Sequence, residues 1–190
     1  MQRRRPVQHP CAYQNLEGHW DLLIRIAGIR KRKSRRVAYA YEAINLQGIA
    51  IFSGGTSCAA INTYAALQEA LVEAALKAKK LGFCRILFLC SNSRVVQTSN
   101  CLCSNSWQDM VMVANLRSLK QQGVSCKALH VPRSILDSVY CIANLAATIP
   151  GNHSWITPDL MYWLCFIGIE KKEEAEHPCA SVGLVQHLLL

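Results

Sequence analysis

The residues of this sequence that could most directly do chemistry are six cations within seven positions. They are Arg30, Lys31, Arg32, Lys33, Arg35 and Arg36, interrupted only by Ser34. The run joins the mostly apolar segment 22–26 to the alternating segment 37–44, so it forms the tip of a β-hairpin if both flanks are strands. Such a density of cations suits phosphate contacts, which release counterions and make binding depend on salt. A solvated loop and a nuclear-localisation patch are the alternatives.

The ten cysteines and six histidines form no familiar metal or hydrolase motif. Cys101 and Cys103 are separated by one residue, no CxxC occurs, and no histidine follows at zinc-finger spacing. There is also no HExxH motif. Four other cysteines fall in apolar patterns, namely Cys84, Cys90, Cys126 and Cys141. A free cysteine in such a pattern packs as a small hydrophobic side chain, so we expect core thiols and no metal site.

The overall composition is that of a globular chain with a basic start. Hydrophobic residues make up 51% and charged residues 17%, and ten of the 21 Lys and Arg residues precede residue 37. A membrane span needs about eighteen consecutive apolar residues. The longest apolar stretch of this sequence, 160–169, is shorter than that. The basic start over 1–6 lacks a following apolar region, so it does not predict a secretory signal. We therefore expect an intracellular protein, of nucleus or cytoplasm, with reduced thiols and no membrane partner.

The basic run must be positioned by strands and helices, which the periodicity of apolar residues predicts. We expect strands over 21–28, 37–44 and 48–53, a helix over 59–81, a strand over 84–90, a helical turn near 92, a helix over 107–122, a strand over 124–131 and a helix over 136–149. This order predicts an α/β fold with a mixed five-stranded sheet and helices on its faces. The domain would span 21–150, between a mobile basic segment over 1–20 and an extension of unknown role over 151–190.

Several stretches share one order and spacing with a known family. They are Ala66-Leu67 followed by Ala70-Leu71 and Ala74-Ala75, then Leu81-Gly82-Phe83, Ser91-Asn92-Ser93-Arg94-Val95-Val96-Gln97, His130-Val131-Pro132-Arg133 and Ile142-Ala143-Asn144-Leu145-Ala146. Together they resemble the ribonuclease H superfamily, in particular the plant-type reverse-transcriptase-like domains of retroelements and many plant genes. The resemblance covers about residues 20–150. It implies a ribonuclease-H-like sheet of three antiparallel strands, followed by α-β-α-β-α.

The same resemblance locates four acidic positions. Active members carry Asp-Gly on the first strand, Ala-Glu at the start of the first long helix, Ser-Asp-Ser after the fourth strand and Ala-Asp in the last helix. Matched residue by residue, these acids fall on Ala27, Leu67, Asn92 and Asn144. The small neighbours Gly28, Ala66, Ser91, Ser93 and Ala143 are kept. The resemblance therefore implies the family's frame without its carboxylates.

Loss of the four acids bears on metal binding and so on catalysis. Hydrolysis by this family would use two Mg²⁺ ions about 4 Å apart, and Mg²⁺ prefers anionic oxygen ligands. We therefore expect no bound metal or other cofactor, and no nuclease activity. Glu69 and Glu73 are possible substitute acids, one helical turn apart. However, Glu69 points about 200° away from Leu67 around the helix axis, so both are expected on a solvated face.

Three functions follow from these observations. The first is a catalytically degenerate domain, a pseudoenzyme, that binds RNA–DNA hybrid or double-stranded RNA through backbone contacts. The cations of the run from Arg30 to Arg36 would make those contacts. The second is an active RNA–DNA hybrid ribonuclease, and the third is a protein-interaction module. The sequence does not identify a protein partner.

Overall fold

The computed structural model describes residues 19–31, 36–58, 60, 62–103 and 106–148, together with the backbone of Asn152–Ile156. Its strands are β1 (Leu22–Arg30), β2 (Val37–Ile44), β3 (Ala50–Cys58), β4 (Arg85–Cys90), β5 (Ser125–His130) and β6 (Asn152–Ile156). Its helices are α1 (Thr63–Lys80), α2 (Ser93–Cys101), α3 (Trp107–Gln121) and α4 (Asp137–Ala146), the last preceded by a 3₁₀ turn over Arg133–Leu136. The expectation of a mobile segment over 1–20 lies almost wholly outside the described residues.

One mixed sheet has the strand order β5-β4-β1-β2-β3-β6. The strands β1, β2 and β3 are antiparallel neighbours, while β4 runs parallel to β1 and β5 parallel to β4. This confirms the predicted mixed sheet of five strands. A sixth strand was not predicted: β6 pairs antiparallel with β3, inside the region that we interpreted as an extension. Its five residues lack the alternating apolar pattern by which the other antiparallel strands were found.

The strand β3 is longer than predicted, reaching Cys58 where the sequence indicated an end near residue 53. The reason is a pair of glycines that continue the strand without breaking it. A Cβ atom on Gly54 would lie 2.4 Å from the ring of Tyr41, and one on Gly55 would lie 3.1 Å from the Cβ of Ala146. The glycines thus let a tyrosine ring and α4 approach the sheet closely, which a pattern of apolar residues does not reveal.

Side-chain caps set the starts of α1, α2 and α3. α1 begins at Thr63, four residues later than predicted, because the side chain of Asn62 accepts a hydrogen bond from the backbone N–H of Ala65 at 2.9 Å. The turn predicted near residue 92 is the nine-residue helix α2. Gly82 and Gly123, both with positive φ, follow α1 and α3.

The core lies on both faces of the sheet. On one face, Leu22, Ile24 and Ile26 of β1 pack in a cluster with α1 and α3. On the other face, Leu23 and Ala27 pack in a cluster with α4. Because successive residues of a strand point to opposite faces, one strand supplies both clusters. None of the helices among the described residues is long and apolar enough to cross a membrane.

The cysteines depart in part from expectation. Seven cysteines lie in the described part of the chain. Cys90 is buried, and burial raises its pKa to about 11, while Cys126 is half-buried and its pKa is raised to about 12 by the same cause. Core packing was the wrong interpretation for Cys84 and Cys141, which are exposed. Cys84 directly precedes β4, and Cys141 lies on the exposed surface of α4. Apolar residues close to each of them in sequence face the core, but the two thiols do not.

Candidate nucleic-acid interface

Three chain connections meet at one side of the sheet. Because β1, β4 and β5 are parallel, with Arg25 beside Leu89 and Cys90 beside His130, their carboxyl ends lie together. We call this side the carboxyl edge; its described residues include Ala27, Ser91, Asn92 and His130. The β1–β2 connection also leaves from here, because β1 ends at Arg30. The predicted basic hairpin and the positions of Ala27 and Asn92 are therefore associated with the same edge.

The hairpin itself is confirmed. β1 and β2 pair up to Arg30 and Val37, and the backbone N–H of Lys31 donates to the carbonyl of Arg36 at 2.9 Å. Arg30 and Arg36 are exposed and Lys31 is half-buried. The other three predicted contact residues, Arg32, Lys33 and Arg35, lie outside the described residues. The role of the six cations in binding stays a prediction.

Two of the four acidic positions are filled by apolar side chains within the core. Ala27 is fully buried in the cluster with α4. Leu67, a residue of α1, is 4% exposed and packs in the cluster on the opposite face of the sheet. Its Cγ would lie 3.0 Å from a Cβ placed on Gly28, so β1 and α1 approach closely at this glycine. Neither Ala27 nor Leu67 offers a ligand atom.

Asn92 lies at the carboxyl edge but its side chain is already engaged. The Oδ1 atom accepts a hydrogen bond from the backbone N–H of Val95 at 3.1 Å and so caps α2. The backbone N–H of Asn92 faces the Sγ atom of Cys90 at 3.4 Å. An asparagine can replace an aspartate as a helix cap, because both side chains offer an acceptor oxygen. Asn92 therefore caps α2 without placing a negative charge at this position.

The fourth position, Asn144, is exposed on α4. The side chain of α4 that reaches the carboxyl edge is Tyr140, whose hydroxyl lies 3.0 Å from the Oγ atom of Ser91. Residues four apart lie on the same face of a helix, one turn from each other. The packing of α4 against β1 and β2 therefore determines that Tyr140, and not the residue one turn later, contacts Ser91.

These groups do not fit a magnesium site. The positions at the edge supply two apolar side chains, one amide already used as a cap, and a tyrosine hydroxyl. In the part of the chain that the structure describes, no group of three or more His, Cys, Asp or Glu could hold a metal ion. Mg²⁺ requires hard oxygen ligands in near-octahedral geometry, which this set does not provide.

A buried carboxylate joins the starts of α1, α2 and α3 beside this edge. Asp109, 1% exposed, accepts hydrogen bonds from Tyr64 Oη at 2.5 Å, Gln68 Nε2 at 2.8 Å and Ser106 Oγ at 2.9 Å. Burial opposes ionisation of this carboxyl group, but the hydrogen bonds and the Arg94 charge together hold its pKa below the usual value. Asp109 is therefore an ionised anchor within the fold.

The start of α2 carries a cation in contact with this anchor. The Arg94 guanidinium lies 3.6 Å from the Asp109 carboxylate and 4.3 Å from the ring centroid of Tyr64. Its side chain nevertheless stays 60% exposed. Arg94 follows Asn92 by two residues, so a positive charge stands close to a position where the family resemblance places an acid.

A second cation occupies the β5–α4 connection in a similar way. The Arg133 guanidinium lies 4.1 Å from the ring centroid of Tyr140, and Arg133 is exposed. The same tyrosine contacts Ser91 through its hydroxyl, while His130 Nε2 lies 3.2 Å from the backbone carbonyl of Ser91. Sequence analysis missed this cluster. The arginine and tyrosine are seven residues apart, and only the turn before α4 brings them together.

The possible substitute acids face elsewhere. Glu73 accepts hydrogen bonds from the hydroxyls of Tyr39 and Tyr41, the second at 2.9 Å. Glu69 is exposed as a residue, but its carboxyl group is partly desolvated. This desolvation, and to a smaller extent the Glu73 charge, raises the pKa of Glu69. Both line an open groove of about 570 Å³ between α1 and α3, together with Trp107. The predicted solvated face is confirmed for Glu69 and wrong for Glu73, which is half-buried because it accepts hydrogen bonds from two tyrosines of β2.

Comparison with solved structures identifies the fold. No protein-family model matches the sequence, and no curated protein matches it in sequence. The ribonuclease H1 of the archaeon Halobacterium salinarum superposes with a TM-score of 0.58 at 20% identity, over 66% of this chain and 96% of that one. The LC11 ribonuclease H1, solved with an RNA/DNA hybrid, gives 0.60 at 14% identity, over 67% and 96%. The protease-reverse transcriptase of prototype foamy virus gives 0.57 at 12%, over 77% and 22%.

These similarities define the class of fold. The chain has the ribonuclease-H-like α/β fold, as the sequence predicted. The superposed structures cover about two thirds of the chain or more, and nearly the whole length of the two single-domain enzymes. At identities of 20% or less, the similarity establishes the architecture of this chain but not its function.

Proposed function

We propose that this domain binds nucleic acid through its sugar–phosphate backbone, without metal and without cleaving it. The observation that supports this most directly is the charge at the carboxyl edge. The basic hairpin that ends β1, Arg94 at the start of α2 and Arg133 before α4 all come from connections at this edge. The nearby Asp109 carboxylate is buried and hydrogen-bonded.

Removal of four carboxylates has an electrostatic consequence besides the loss of metal binding. Carboxylates without their metal ions repel the phosphate backbone, whereas Ala27, Leu67 and Asn92 do not. Cations placed around the same edge attract it, releasing counterions on binding. A surface built in this way would hold nucleic acid without a divalent ion, and its affinity would fall steeply as salt is added.

RNA–DNA hybrid is the preferred ligand in this proposal, and double-stranded RNA is the next. Among the similar structures, the LC11 ribonuclease H1 and a foamy viral protease-reverse transcriptase were solved with RNA/DNA hybrid, and the latter also with double-stranded DNA. Recognition would depend on helix shape and 2′-hydroxyl groups rather than on base sequence. We also propose that the domain has a plant-type, retroelement-derived origin and that its catalytic acids were lost. We propose further that it resides in the nucleus or cytoplasm.

Two other functions remain as outcomes to be tested. Hybrid hydrolysis is favoured by the similarity to ribonuclease H1 enzymes and opposed by the residues at the carboxyl edge. A protein-interaction role is favoured by the groove between α1 and α3, where Trp107 is 71% exposed. In that case the basic hairpin would be incidental, and the chain would not bind nucleic acid at low salt.

The test is a paired assay on one labelled RNA–DNA hybrid. Binding and cleavage are followed with Mg²⁺ and with EDTA across a salt series. We expect binding that survives EDTA, weakens with salt and is weakened further by Mg²⁺, with no cleavage. Mg²⁺-dependent cleavage would show that another set of acids operates, and absence of binding at low salt would favour the protein-interaction role.

A variant pair locates the surface. Arg30→Gln with Lys31→Gln removes two charges from the hairpin, while Lys120→Gln removes one from the last turn of α3. α3 leads into the amino end of β5, so Lys120 lies at the opposite edge of the sheet. The hairpin variant is expected to lose affinity and salt dependence, and Lys120→Gln to behave as the wild type.

A further inference from the structure

We propose that Arg94 and Arg133 form a pair of phosphate-binding side chains at the carboxyl edge. This inference rests on the proposed function and deepens it, because it assigns backbone contacts to two residues outside the basic hairpin. Each arginine lies over the ring of a tyrosine, and each tyrosine is held by a hydrogen bond through its hydroxyl. The first pair includes Arg94, two residues after Asn92, and the second contacts Ser91 through the Tyr140 hydroxyl.

The first pair is fixed by the buried carboxylate. Asp109 accepts a hydrogen bond from the Tyr64 hydroxyl, and this bond holds the tyrosine ring in place. The Arg94 guanidinium lies over that ring, 4.3 Å from its centroid. The distance of 3.6 Å between Arg94 and Asp109 is that of an ion pair rather than of a short hydrogen bond. A guanidinium has five N–H donors in a planar fork, and this contact engages few of them.

The second pair is fixed from the strand β4. Ser91, the residue after β4, lies 3.0 Å from the hydroxyl of Tyr140, and the ring of Tyr140 lies 4.1 Å from the Arg133 guanidinium. No acidic side chain forms a salt bridge with Arg133 among the described residues. Its positive charge is thus held in place by a ring face and is left without a counter-charge.

Stacking on a ring matters for the chemistry of binding. It occupies one face of the guanidinium and leaves the N–H groups at its edge directed outward, in the geometry that binds phosphate oxygens in a bidentate manner. It also restricts the side chain before the ligand arrives, so less conformational entropy is lost on binding. A free surface arginine or lysine lacks both advantages.

A structural role alone would give a different result. If Arg94 served only to neutralise Asp109, its replacement would affect stability and leave hybrid binding unchanged. Arg133 touches no buried charge in the described residues, so its replacement is expected to leave the fold intact. Replacement of Arg94 could therefore change both stability and binding. Replacement of Arg133 is expected to change binding alone.

The experiment compares Arg94→Gln, Arg133→Gln and the double variant with the wild type in the full chain. Each single variant is expected to weaken binding to a labelled RNA–DNA hybrid by about tenfold, the loss typical of one charge-assisted hydrogen bond. Each is also expected to reduce the slope of log affinity against log salt by about one, because one phosphate contact is lost. Lys120→Gln, an equal change of charge at the opposite edge, is the matched control and should leave the slope unchanged.

The role of the tyrosine is tested separately. Tyr140→Leu removes the ring and is expected to weaken binding, but only when Arg133 is present, so the two effects should not be additive. Tyr140→Phe keeps the ring and should retain most of the affinity. If the wild type binds and Arg133→Gln binds equally well with an unchanged slope, the arginine pair is refuted while the proposed function stands. If the wild type does not bind, both are refuted.

Discussion

Replacement of Asp109 by asparagine tests whether the buried carboxylate organises the starts of α1, α2 and α3. The wild-type carboxylate accepts three hydrogen bonds, from Tyr64, Gln68 and Ser106. Tyr64 and Gln68 both donate to Oδ1, so an asparagine with its carbonyl oxygen at that place keeps these two hydrogen bonds, although the acceptor is no longer charged. Its amide group would face the Ser106 hydroxyl and the Arg94 guanidinium, so the Ser106 hydrogen bond and the ion pair would be lost.

The size of the effect follows from the kind of hydrogen bond. A hydrogen bond to a charged group contributes about 1.5–3 kcal/mol and one between neutral groups about 1 kcal/mol, so loss of the Ser106 bond and weakening of the other two should lower the free energy of unfolding by about 3 kcal/mol. With a urea dependence of about 1.5 kcal/mol per molar, the midpoint of unfolding should fall by about 2 M. The control is Asp137→Asn, an exposed carboxylate in the first turn of α4, which should cost about 0.5 kcal/mol.

The pH dependence of this difference has a definite sign. The folded-state pKa of Asp109 is held below its usual value of 3.8, so between the two values the unfolded chain binds more protons than the folded one. The contribution of Asp109 is therefore fully present above pH 3.8 and is lost as the pH falls through the folded-state pKa. Asp109→Asn should differ from the wild type most at neutral pH, and the difference should shrink in acid.

The assay is urea unfolding followed by circular dichroism, at neutral pH and at several acidic values, for both variants. A midpoint for Asp109→Asn as close to wild type as that of Asp137→Asn would refute the argument. So would a difference that grows as the pH is lowered, because the sign of the linkage would then be reversed.

Two further changes test the sheet. Asn100→Ala removes an amide that both accepts from and donates to the backbone of Ala128 at 2.8 Å, so thermal unfolding should show a loss of about 2 kcal/mol; an unchanged melting temperature would show that water replaces it. Gly54→Ala would place a Cβ 2.4 Å from the Tyr41 ring and should cost about 2 kcal/mol or more, whereas Gly82→Ala meets no atom within 4 Å and should cost only about 1 kcal/mol, the strain of its positive φ. Equal melting temperatures for the two glycine variants would contradict the close packing at Gly54.

Most of the fold could be predicted because its elements follow local rules. The strand β2 has its predicted bounds, and α3 ends within one residue of prediction. Where local signals were misleading, the cause lies in distant contacts. The glycines of β3 indicated a break, yet Tyr41 and α4 use the space that they leave. The strand β6 has no pattern of its own and is defined by its pairing with β3.

The candidate site was predictable only in part. The basic hairpin could be found because its six cations are contiguous and its flanking strands are regular. The cluster around Asp109 could not, since Tyr64, Arg94 and Asp109 are far apart in sequence and carry no shared motif. The assignment on α4 shows the same limit, because Tyr140 and Asn144 lie on one helical face and only the packing of α4 decides which reaches Ser91.

By itself, the sequence determined the class of fold and the placement of charge along the chain, because apolar periodicity and contiguous cations are local properties. It also determined that Ala27, Leu67 and Asn92 carry no carboxylate. The tertiary structure alone decided that two arginines come to lie on two tyrosines at one edge of the sheet. Such a cluster depends on the register of parallel strands and on the height at which helices pack against them, which are fixed by contacts between residues distant in sequence.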